Sequence, residues 1–270
     1  MIVVNGIADA MLPADDRGLS YGDGIFRTLL MHNGRVANWH RHYAKLVSDC
    51  AVLSINCPAI DLFEQDLAKI SKIETACVVK MMVTRGVGQR GYGLFNAVSP
   101  TRIILTSALP QVSPDYLTTG VRVRICNLRL ARQPRLAGVK HLNRLEQVLA
   151  RSEWQDADIA EGLLLDQEEH VIGGTMSNLF MVRNQHLYTP DLSACGIAGV
   201  TRDRIQQLAD ALGLVVKTAQ LSLADLFAAD EVMLCNSLIG VWQVREVDQK
   251  QWSRGIFTPS LRALLELDDD

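Results

Sequence analysis

Apolar residues recur along the chain with two different periods, and the period predicts the element. Residues 1–4 read as a short strand ending at an Asn5-Gly6 turn, and apolar runs at 25–31 and 35–36 flank Asn33-Gly34. Asn-Gly between apolar runs is a strong hairpin signal, because both residues tolerate the left-handed backbone of a tight turn. After Asn38, a candidate cap, the period lengthens. Tyr43, Leu46, Val47, Cys50 and Leu53 then fall on one face of a helix predicted over 39–53. A second amphipathic helix is predicted over 61–73, with Leu62, Phe63, Leu67 and Ile70 inward, and strands follow at 78–84 and 102–107.

Residues 109–120 carry Pro110, Pro114 and Gly120 and little periodicity, so a domain boundary is placed there. The second section opens with a strand at 121–127 and a helix at 142–154. Short strands at 162–165, 171–172, 179–182 and 186–188 are joined by tight polar turns. A helix starts near Thr201 with Ile205, Leu208 and Leu212 on one side, and Ser222 caps a short helix to Phe227. Strands at 231–235 and 241–247 and a terminal helix complete the chain, with Asp268-Asp269-Asp270 as a solvated tail. Strands and helices mix without strict alternation. The expectation is an α+β fold of two domains, 1–110 and 121–270, with a linker at 111–120, and not a doubly wound parallel sheet.

Composition narrows the function classes. The 270 residues are 48% hydrophobic and 21% charged, with a net charge of −3. Neither nucleic acid nor an anionic membrane is expected as a partner. No run of eighteen apolar residues occurs, and the N-terminus lacks the pattern of a secretory signal. The six cysteines are scattered without a C-x-x-C pair, and the six histidines lack a metal-ligand spacing. Small buried thiols in a reducing cytoplasm are expected, with no metal site.

Three segments carry candidate chemistry. Lys140 lies where an apolar stretch meets a predicted helix, between Gly138-Val139 and Leu142. Burial lowers a lysine pKa, and a neutral amine can attack a carbonyl and hold an aldehyde cofactor as a Schiff base. Residues 196–202 precede a helix, so their backbone N–H groups and the Thr201 hydroxyl suit a phosphate. The plain alternative is Thr201 as a helix cap. Asn236-Ser237 ends an apolar strand and offers further donors. Residues 85–93 form a glycine-rich basic loop whose Arg85 and Arg90 suit a carboxylate-bearing substrate; the plain alternative is a solvated hairpin tip.

Together these segments resemble the fold-type IV pyridoxal 5'-phosphate (PLP) family, which includes the D-amino acid aminotransferases, and most closely its 4-amino-4-deoxychorismate lyases. The resemblance rests on LAGVKHLNRLEQV at 136–148, TRGVGQRGY at 84–92 and the stretch from Asp16 to Phe26. Ser177-Asn178-Leu179-Phe180, Gly199-Val200-Thr201-Arg202 and Asp230-Glu231-Val232 complete the order. The resemblance implies that Lys140 bonds to PLP and that Val200, Thr201 and Ser237 hold its phosphate. It implies a homodimer that eliminates pyruvate from 4-amino-4-deoxychorismate to give 4-aminobenzoate, a folate precursor. Phe26, Arg85 and Arg90 are then candidates for the substrate pocket.

Two positions depart from that family's pattern. The glutamate that pairs with the cofactor's pyridine nitrogen normally stands five residues before the Asn of the S-N-L-F motif; here that position is Gly173. An arginine phosphate ligand on the first long helix is replaced by Lys45, which keeps the charge without the bidentate fork. Two other readings stay open on these grounds. One is a catalytically impaired or non-catalytic relative. The other is a transaminase acting on a D-amino acid or a branched-chain amino acid.

Overall fold

The N-terminal residues form β1 (Ile2–Val4), which turns back as β2 (Ile7–Ala8), and α1 (Arg17–Tyr21) follows. The Asn33-Gly34 hairpin joins β3 (Gly24–His32) to β4 (Arg35–Val36), with both turn residues at positive φ. Helices α2 (Trp39–Val52) and α3 (Ile60–Ser71) precede β5 (Ala76–Thr84) and β6 (Thr101–Ser107). The computed structural model describes residues 1–72, 76–94 and 99–268; Ile73, expected to end the second long helix, and Asp269 and Asp270 of the expected tail lie outside them.

The chain divides into two units. Among the described residues the first holds Met1–Pro110 together with Val139–Asn143; the second holds Gln111–Gly138 and residues 144–268. In the first unit the six strands form an antiparallel sheet, ordered β2-β1-β6-β5-β3-β4. Ile25, Leu29 and Met31 of β3 and Val79, Met81 and Val83 of β5 share one face. Leu46 and Cys50 of α2 and Phe63, Leu67 and Ile70 of α3 seal that face from water.

The buried faces of both helices differ from expectation. Val47 is 38% exposed and Leu62 37%, while the carboxylates Asp49 and Asp66 point inward at 1%. A strand arginine meets each of them. Arg27 of β3 ion-pairs with Asp49, and Arg102 Nε of β6 donates to Asp66 Oδ2 at 2.6 Å. Buried charges persist where a partner satisfies them, and apolar periodicity cannot register such pairs. Asn38 does stand at the N-cap of α2, but in left-handed backbone (φ 54°) and without a side-chain cap bond.

The second unit runs α4 (Asp115–Thr118), β7 (Val121–Leu130), α5 (Leu145–Arg151), β8 (Ile159–Asp166), β9 (Val171–Gly174), β10 (Asn178–Arg183) and β11 (His186–Pro190). It continues with α6 (Val200–Leu208), β12 (Val215–Ala219), α7 (Leu223–Phe227), β13 (Glu231–Asn236), β14 (Gly240–Val247), β15 (Lys250–Gln251) and α8 (Phe257–Leu267). The mixed sheet is ordered β12-β11-β10-β13-β14-β7-β8-β9, with β15 beside β14. Leu179, Val232, Leu234 and Trp242 face Leu221, Leu226 and Trp252, while Phe180, Met233 and Val241 face Ile205 of α6 and Leu261 of α8. Ser222 caps α7 in a reciprocal box with Asp225, as its position before an apolar turn suggested.

The α+β expectation therefore holds. One helix does not follow the reading: a helix was expected over 142–154, and α5 covers only Leu145–Arg151. Residues just before it pair with β3 instead, through a bridge between His141 and Ile25. That pairing holds the chain out of a helix until α5 begins. Among the described residues no helix is long and apolar enough to cross a membrane.

Candidate cofactor and substrate site

In the first unit, Lys140 sits in a five-residue segment hydrogen-bonded to β3. The Phe26 N–H donates to Lys140 O at 2.9 Å, and the Leu142 N–H donates to Gly24 O at 2.9 Å. On the other side the Lys140 N–H donates to Asp49 Oδ2 at 3.1 Å. Both polar groups of the Lys140 backbone are thus held, while its Nζ stands 4.6 Å from the centre of the Phe26 ring. The lysine is half-buried, consistent with its apolar neighbours in sequence. Lys45 is one i,i+4 turn from Asp49 and ion-pairs with its Oδ1 at 3.5 Å. Asp49 therefore gathers Arg27, Lys45 and the Lys140 backbone, a role no motif announced.

The glycine-rich loop is anchored at both ends. Arg85 grips Asp23 with Nε at 2.8 Å and Nη2 at 3.0 Å, and donates to Leu53 O and Ser54 O at 2.6 and 2.8 Å. Burial alone would raise the Asp23 pKa, but hydrogen bonds from Arg85 and then Arg17 outweigh it and hold the carboxyl below its usual range. At the far end Arg17 Nη1 donates to Gly91 O, the Gly91 N–H donates to the Tyr21 hydroxyl, and Tyr92 stacks edge-on against Tyr21. Arg85 is thus committed to its own loop. Arg90 is exposed, and among the described residues it has no ion-pair partner. Asp23, the loop's anchor, directly follows the α1 C-cap Gly22 (φ 65°), whose missing side chain leaves room for the Asn143 amide.

In the second unit, Gly199 caps α6 in extended backbone, and Val200 and Thr201 lie inside the first turn. Thr201 is therefore not the cap. The cause is Asn178, which accepts the Gly199 N–H on Oδ1 at 3.1 Å and donates to Ile197 O at 2.7 Å. Thr201 Oγ1 lies 3.4 Å from Ser237 Oγ. Two hydroxyls converge at the positive end of a nine-residue helix, which suits a phosphate.

The ring-nitrogen end is different. Gly173 offers no carboxylate, and a Cβ there would stand 2.9 Å from Ser177 O. Glu161 is the nearby buried acid, at 1% exposure. It accepts from the Thr175 and Met176 N–H groups and from the Thr175 and Ser177 hydroxyls, so it secures the 175–177 turn. Within the second unit the hydroxyls and helix N-terminus fit a phosphate such as PLP carries, while Gly173 supplies no acid for a ring nitrogen; within the first unit Lys140 offers an amine suited to an aldehyde. Among the described residues Asp166, Glu168 and His170 gather three possible metal-ligand atoms, yet Arg132 already ion-pairs with Glu168 on that turn.

Comparison with known proteins agrees. The family described as "Amino-transferase class IV" matches residues 24–247. An aminodeoxychorismate lyase of Vibrio harveyi is 36% identical over 242 residues, covering 89% of each chain. A protein of Methanocaldococcus jannaschii, provisionally assigned as a branched-chain-amino-acid aminotransferase, is 31% identical over 246 residues, or 89% of this chain and 84% of that one. The crystal structure of 4-amino-4-deoxychorismate lyase from Pseudomonas aeruginosa superposes with a TM-score of 0.95 at 44% identity, covering 99% of both chains. The chain belongs to the class IV aminotransferase family, whose members use pyridoxal phosphate.

Proposed function

We propose that this protein is a PLP-dependent lyase that eliminates pyruvate from 4-amino-4-deoxychorismate and releases 4-aminobenzoate, acting as a cytoplasmic homodimer. One observation carries the choice of lyase over transaminase: 44% identity across 99% of both chains to a 4-amino-4-deoxychorismate lyase. In this reading Lys140 would hold the cofactor by its aldehyde, and Val200, Thr201 and Ser237 would hold its phosphate. Lys45, half-buried beside Asp49, adds positive charge.

When bound, PLP supplies an aldehyde for the substrate amine and a conjugated ring that takes up electron density from the carbon being deprotonated. The residues do the rest. Lys140 Nζ removes the proton from the amine-bearing carbon and returns one to the enolpyruvyl group as it departs. Its backbone is clamped by Asp49 and by the Phe26 N–H, so the amine swings from a fixed base. Arg90 draws a substrate carboxylate towards the loop, and Arg85 keeps that loop in place. The product ring is aromatic, so the elimination runs downhill.

The test is to give the purified protein 4-amino-4-deoxychorismate and follow pyruvate and 4-aminobenzoate. Amino transfer to 2-oxoglutarate without pyruvate release would overturn the reading. Lys140→Ala should abolish turnover and the visible band of bound cofactor; a retained band would remove Lys140 from its role. Gly173 and Lys45 favour one other reading, a catalytically impaired or non-catalytic relative, which protein lacking both cofactor and activity would support.

A further inference from the structure

The sheet of the first unit has a second face, turned away from its helices. Strand register puts Phe26, Met82 and Ile103 in one row across that face and Thr28, Lys80 and Leu105 in the next. Lys80 is thus on an inner strand, between β3 and β6, with mostly apolar neighbours. Lysine is depleted at such positions, because its ammonium keeps water and its long stem fits a pleated surface poorly. Yet Lys80 is half-buried there, with its Nζ 4.9 Å from the centre of the Phe26 ring. Lys140 Nζ lies 4.6 Å from that same centre. Among the described residues no carboxylate pairs with Lys80, and the Phe26 ring is the one group it meets. A half-buried cation that meets an aromatic face and, among the described residues, no carboxylate is poised to take an anion.

We propose that Lys80 docks a carboxylate of the substrate beside Lys140, and so selects an anionic substrate over a neutral one of the same shape. The inference rests on the lyase reading, whose substrate carries two carboxylates, and it makes Lys80 a specificity-determining residue. The amine of Lys140 is engaged in the chemistry, which leaves Lys80 as the fixed positive charge on this face. A point-like ammonium suffices for one carboxylate, without the fork of an arginine.

Lys80→Met keeps the length and the apolar contacts and removes the charge; Lys80→Arg keeps the charge. Losing one charge-assisted contact predicts that Lys80→Met raises KM for 4-amino-4-deoxychorismate about thirtyfold, with kcat nearly unchanged and most of the loss recovered in Lys80→Arg. A second measurement does not depend on turnover. Calorimetric titration with the stable dicarboxylate 3-(carboxymethoxy)benzoate should show binding at least about tenfold weaker in Lys80→Met than in the parent. Urea unfolding should find Lys80→Met as stable as the parent or more so. Equal dicarboxylate affinity in parent and variant, or no binding to either, overturns the proposal. So does a variant that loses kcat through an altered pH profile at unchanged KM, because Lys80 would then act on the proton of Lys140. If the parent binds the dicarboxylate through Lys80 but releases no pyruvate, the lyase reading fails and the docking role stands.

Discussion

Gly173 shows how much one residue controls. A charge-assisted hydrogen bond contributes about 1.5–3 kcal/mol, or roughly ten- to two-hundredfold in rate if it appears fully in the transition state. Gly173→Glu is therefore expected to raise turnover by about tenfold, below the upper limit because its Cβ would stand 2.9 Å from Ser177 O. An unchanged cofactor band and an unchanged kcat would show that no acid is needed there. Asp49 governs stability as well as position. Removing it takes the carboxylate from the Arg27 guanidinium, which is 2% exposed in the core. Asp49→Ala should cost about 3–5 kcal/mol in urea unfolding, whereas replacing Arg27 and Asp49 together with apolar residues should be close to neutral. Equal losses in the single and double variants would mean that the pair does not act as one.

At the scale of elements, the anchored loop depends on ionised Asp23. Its folded pKa lies below the ordinary value of 3.8, since the Arg85 and Arg17 hydrogen bonds outweigh burial. The sign follows from linkage. The unfolded chain takes up the proton first, so the stabilisation is complete above pH 3.8 and is lost as pH falls from there through the folded value. Protease cleavage within residues 85–92 should therefore rise in that acid window. In Asp23→Asn it should be raised already at neutral pH, with little further change on acidification. A loop equally resistant in the variant at neutral pH would remove Asp23 as the anchor.

At the scale of the whole molecule, the proposed homodimer has a candidate surface. Leu145, Val148 and Leu149 form one stripe of α5 and are 74%, 60% and 58% exposed. Apolar stripes of this kind mark association sites more often than free surface. Sedimentation equilibrium should give twice the chain mass for the parent and a marked shift towards monomer for the variant carrying Val148→Glu and Leu149→Glu. A dimer untouched by that change would move the interface elsewhere.

The sequence by itself determined the α+β class, most strands, the Asn33-Gly34 hairpin, the Ser222 cap and the motifs around Lys140 and Thr201. All of these are written in local periods and in residues with strong backbone preferences. Tertiary structure alone decided the rest. Residues 139–143 stay out of the helix because β3 offers them hydrogen-bond partners, so the predicted helix starts later, as α5 at Leu145. The strand β12, exposed along most of its length at the sheet edge, shows no alternation to read. Arg27 and Asp49 turn inward because each finds the other across the helix–sheet interface, and Lys80 meets Phe26 only through strand register. A period along the chain reports which side of an element avoids water; which charge waits on the opposing element is a property of the packed chain.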